Sequence, residues 1–118
     1  MATIKSFSDL EQSKKLAEIL PLESVDMCYI NGDSGKISIG EWGNNVHDED
    51  DIPCWSLTAL LSVFKDKKYF HRIYSDGVSY VLEIVNVSNP IIREVTNSNN
   101  PVDACVTMVE KLKELNLL

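Results

Sequence analysis

"YFHRIYSDGVSYVLEIVNV" (Tyr69–Val87) decides the class of this chain. Two runs rich in β-branched and aromatic residues, 69–74 and 78–87, flank "SDG". Asp76-Gly77 is a strong signal for a tight type I′ turn, so the stretch predicts a hairpin. In its second arm Val78, Tyr80, Leu82 and Ile84 share one face, while Val81, Val85 and Val87 share the other. A strand apolar on both faces belongs at the centre of a sheet. "SNP" then turns the chain, and "IIREVT" (91–96) predicts a more exposed strand beside it.

The segment after this sheet reads as a helix. Asn100 is a good cap, Pro101 suits the first helical position, and Asp103 complements the dipole. Val102, Cys105, Met108, Val109, Leu112 and Leu115 form its apolar face. Before the hairpin, "PCWSLTALLSVF" places Leu57, Leu60, Leu61 and Phe64 at i, i+3, i+4 and i+7, predicting a helix over 53–64 started by Pro53. "DMCYI" (26–30) and "KISIGEW" (36–42) read as two strands around the turn-rich "NGDSG". A helix over 8–20 opens the order, with Ser8 and Glu11 as a capping box and Pro21 as its stop. The expected class is α+β: one domain over 1–118, with a small antiparallel sheet of about five strands packed with three helices, order α-β-β-α-β-β-β-α.

Composition narrows the function classes. The chain has 118 residues and a formal net charge of −7. Residues 16–64 carry nine acids and one base, Lys36, whereas 65–118 balance at seven each. Nucleic acid is therefore not expected as a partner, since phosphate-backbone binding needs clustered Lys and Arg. The short basic cluster "KDKKYFHR" (65–72) reads as a loop leading into a strand. No apolar run reaches the ~20 residues of a membrane span, and "MATIKSFSDLEQSKK" does not read as a signal peptide. A cytoplasmic location without membrane contact is expected. Cys28, Cys54 and Cys105 lack zinc-ligand spacing and read as free buried thiols. Cys54, near a helix start, is the least inert of them.

"HDEDDIPCW" (His47–Trp55) is the densest polar segment. An EF-hand needs acids at alternating positions, and zinc needs three or four His or Cys ligands; neither pattern is present. The segment reads as a solvated acidic loop before a helix. Trp42 and Trp55 bracket it and read as core residues pinning the loop ends. The rival reading makes Trp42, Asp48, Glu49, Asp50, Asp51 and Trp55 a candidate partner surface. His71, mid-strand beside Arg72, reads as structural or half-exposed. No catalytic motif, cofactor fingerprint or metal site is expected.

"FSDLEQSKKLAEILPLESVDM" (7–27), "DIPCWSLTALLSVF" (51–64) and "NPVDACVTMVEKLKELNLL" (100–118) resemble small uncharacterised proteins of Bacteroides and related gut bacteria, often found in phage or mobile-element contexts. The resemblance covers roughly half the chain and coincides with the three helices. It implies an accessory role but no mechanism. The expected function is thus a non-enzymatic accessory factor that binds an unidentified protein. A nucleic-acid mimic or inhibitor of a host factor is the second expectation, and a metal-dependent enzyme using His47–Asp51 the third. Strand 91–96 offers an edge for a homodimer.

Overall fold

In the computed structural model, residues 6–30, 38–41 and 52–118 are described. The class is α+β with the helix and strand order expected, plus one further short strand. Helix α1 spans Leu10–Ile19; strands β1 (Met27–Ile30), β2 (Ser38–Glu41) and β3 (Ile52–Cys54) follow. Then come α2 (Leu57–Asp66), β4 (Tyr69–Ser75), β5 (Tyr80–Asn86), β6 (Arg93–Ser98) and α3 (Pro101–Glu114). The strands form two antiparallel three-stranded sheets, ordered β2-β1-β3 and β4-β5-β6, where a single sheet of about five was expected.

The added strand β3 occupies residues expected to begin the second helix. Its Pro53 lies opposite Cys28 of β1. Proline is tolerated both at a helix start and in a flanking strand, so Pro53 alone does not choose. Ser56 chooses: its hydroxyl accepts from the Ala59 amide at 3.1 Å and caps α2, which starts at Leu57, four residues later than expected. The Asp26 carboxylate accepts from the Ser56 amide and hydroxyl and holds this cap. On the far side of β3 the segment 6–8 runs antiparallel to 55–57.

Helix α1 shows a similar one-residue displacement. Asp9, not Ser8, is its cap, and Gln12 closes the capping box. Aspartate caps as well as serine, and here Ser8 has been drawn into the interior. The cap of α3 is as expected: Asn100 accepts from the Asp103 amide at 2.9 Å, with Pro101 in the first turn.

One apolar cluster joins the three helices to the inner face of the β4-β5-β6 sheet. It includes Leu16, Trp55, Leu60, Phe64, Leu82, Ile84, Val102, Met108 and Leu112. Leu115, expected on the buried face of α3, is instead 47% exposed because the helix ends at Glu114. Among the described residues, no helix is long and apolar enough to cross a membrane.

Candidate interaction surface

Of the expected partner surface, Trp42 and Asp48, Glu49, Asp50 and Asp51 lie outside the described residues, as do His47 and the turn "NGDSG". Trp55 corrects its share of that surface. It is 0% exposed and its indole N–H donates to the Ser24 hydroxyl at 2.9 Å. It therefore serves the core, as the first reading of Trp55 expected, and not the rival partner surface. Among the described residues, no group of three His, Cys, Asp or Glu side chains is placed to hold a metal ion.

Cys54, expected to be the least inert of the three thiols, sits in a buried polar knot. Its thiol lies 3.4 Å from the Ser8 carbonyl oxygen, to which the Tyr29 hydroxyl donates at 2.7 Å. The Ser8 hydroxyl accepts from the Trp55 amide at 3.1 Å and pairs with the Ser13 hydroxyl at 2.7 Å. Burial pushes the Cys54 thiol above its ordinary value, against the lowering effect of the Ser8 and Ser13 hydroxyls. Burial, aided by Cys54 and Asp9, raises Tyr29 to about 12. Neutral, enclosed and mutually satisfied, these groups fasten the start of α1 to β1 and β3. A nucleophile needs an exposed, lowered thiol. Cys28 and Cys105 are also buried thiols, as expected.

The outer face of the β4-β5-β6 sheet is different. The register forms three cross-strand rows, Phe70–Val85–Arg93, Arg72–Glu83–Val95 and Tyr74–Val81–Asn97, with the β5 residue in the middle of each. The opposite face carries Leu82 and Ile84, both fully buried beneath the helices. Four of the eight large hydrophobics exposed among the described residues share the outer face: Phe70 (67%), Val87 (47%), Tyr74 (42%) and Val95 (41%). Val81, at 5%, is covered, so the open part lies toward Phe70, Val87 and Arg93.

Glu83 stands at the centre of this face, between one arginine from each outer strand. Arg72 Nε lies 3.3 Å from its carboxylate, and Arg93 donates to the other oxygen. The hydrogen bond from Arg93 and the charge of Arg72 hold the Glu83 carboxyl below its ordinary value, and Glu83 raises Arg93 in return. The guanidinium of Arg72 also lies over the Tyr74 ring, 4.9 Å from its centre. Glu83 is only 13% exposed, whereas the arginine side chains are 64% and 57% exposed. The triad thus orients two exposed cations over an inner carboxylate on an apolar face.

A concavity of about 280 Å³ lies between the turn after α1 and the flank of α2. Glu23, Asp26 and Asp66 line it with Ser24, Thr58 and Ser62. His71, expected to be structural or half-exposed, is an exposed residue of β4.

Sequence reading found the strands that carry the triad but not the triad, because its members come from three strands and meet only in one register. No protein-family model, curated protein or solved structure matches the chain, so the resemblance noted above rests on its three stretches alone.

Proposed function

We propose that this chain is a non-enzymatic protein-binding module and that its binding surface is the outer face of the β4-β5-β6 sheet. The observation that carries this reading is the concentration of Phe70, Tyr74, Val87 and Val95 on one side of a sheet whose other side packs against the helices. Contiguous exposed apolar surface on a small domain costs solubility and marks contact sites. A protein surface suits it better than nucleic acid. Tyr74 already has Arg72 stacked over it, which leaves Phe70 as the single open aromatic platform of the face.

The reading is tested by photo-crosslinking. A benzophenone side chain is placed at position 70, and separately at position 22 as a control, since Leu22 is 59% exposed on another part of the molecule. In lysate of the native cells, position 70 is expected to give a discrete protein adduct that position 22 does not. Identical adduct patterns from both positions would refute the proposal.

A further inference from the structure

We infer that the outer sheet face recognises a carboxylate-bearing, extended apolar segment of its partner, with Arg72 and Arg93 as the recognising pair. This rests on the proposed function and specifies its ligand. Each guanidinium has five N–H donors, and Glu83 occupies only part of that capacity. Being only 13% exposed, Glu83 acts from beneath, holding both forks in place while their remaining donors face solvent. Arginine forks match carboxylates in geometry and charge, and Phe70, Val85 and Val95 surround them with apolar surface. A segment alternating acidic and aliphatic side chains complements that pattern.

Size argues for a short segment and against a second copy of this chain. With strands ~4.8 Å apart and a rise of ~3.4 Å per residue, the face measures roughly 10 by 20 Å, about 200 Å². A partner in a stable protein interface buries about 800 Å². Face-to-face pairing of two copies would also set arginines against arginines.

The test uses a defined probe, the blocked hexapeptide Asp-Val-Asp-Val-Asp-Val, against its Asn-for-Asp counterpart. Amide shifts of the isotopically labelled protein are followed by NMR. The Asp peptide is expected to move Phe70, Arg72, Val85, Arg93 and Val95, and to bind roughly tenfold more tightly than the Asn peptide. The preference is expected to vanish in the triple variant Arg72→Gln/Glu83→Gln/Arg93→Gln, which leaves no unpaired charge behind. Where that variant melts early, Arg93→Gln alone keeps Glu83 paired with Arg72, and a reduced preference is expected.

Equal binding of both peptides on this face overturns the inference and leaves the protein-binding module standing. No shift from the Asp peptide overturns the inference; combined with no specific position-70 adduct, it overturns both. A decathymidylate moving the same amides more strongly than the peptide overturns it in favour of nucleic acid. Shifts that depend on protein concentration alone overturn it in favour of a second copy.

Discussion

Ser8 was expected to cap a helix and instead ties three elements together. It lies at 0% exposure, its amide donates to the Trp55 carbonyl at 2.8 Å, and its hydroxyl accepts from the Trp55 amide. Its own carbonyl accepts from Tyr29. Replacing Ser8 with alanine strands the buried Trp55 N–H and leaves the Ser13 hydroxyl with the Ser8 carbonyl, at 3.4 Å, in place of its shorter bond to the Ser8 hydroxyl. An unmet buried donor costs about 1–3 kcal/mol, so Ser8→Ala is expected to lower unfolding stability by that amount. Removing the second hydroxyl as well, in Ser8→Ala/Ser13→Ala, is expected to cost less than the sum of the two single changes. Urea denaturation of the single and double variants measures this; strict additivity would show that the hydroxyls act separately. The serine was legible as a capping residue, but its burial depends on the chain segment 55–57 lying alongside it.

Between elements, the hairpin shows how a small displacement changes chemistry. The expected turn centred on Asp76-Gly77 sets Arg72 opposite Val81. In the structure the turn centres on Gly77 and Val78, with Asp76 and Ser79 bonded across it at 3.1 Å, and Arg72 lies opposite Glu83. Gly77 alone has positive φ there (+91), the pattern of a type II′ turn, in which glycine takes the first central place. The Asp76 carboxylate accepts from the Val78 and Ser79 amides, which lowers its pKa and stabilises the shifted turn. Because the pairing moves by two residues, every side chain keeps its face and only its cross-strand neighbour changes. The apolar pattern is therefore blind to the shift, and the Arg72–Glu83–Arg93 triad with it. A Cβ at position 77 meets nothing within 4 Å, so Gly77→Ala isolates the backbone cost. It is expected to destabilise by about 1 kcal/mol, similar to loss of the α3 cap in Asn100→Ala. Thermal melts compare the two; an unchanged melting temperature for Gly77→Ala would mean the turn readily re-forms about other residues.

Across the molecule, burial of neutral acids sets the response to alkali. Burial raises Cys105 and Tyr29 each to about 12, from ordinary values of 9.0 and 10.0, and raises Cys54 as well. The folded state thus holds these protons when the unfolded chain has released them. Their contribution is fully present below the unfolded values and is lost as pH rises from about 9 toward the folded values near 12. Cys105 alone is expected to remove ~1.4 kcal/mol of stability per pH unit across that interval. Urea midpoints from pH 8 to 11 are expected to fall, and Cys105→Val to fall less steeply. Equal slopes would show that another group governs alkaline unfolding.

The sequence by itself determined what local chemistry and periodicity can specify: the α+β class, the order of helices and strands, the cap of α3, the central place of β5 and the three reduced thiols. These depend on which residues repeat on one face and which short motifs begin or end an element. Tertiary structure alone decided what depends on distant segments meeting. Pro53 became strand because β1 lay beside it and the Asp26-held Ser56 cap delayed α2, and the arginine pair arose because three strands met in one register. Local pattern limits the side chains available to each face, but only packing selects which of them become neighbours.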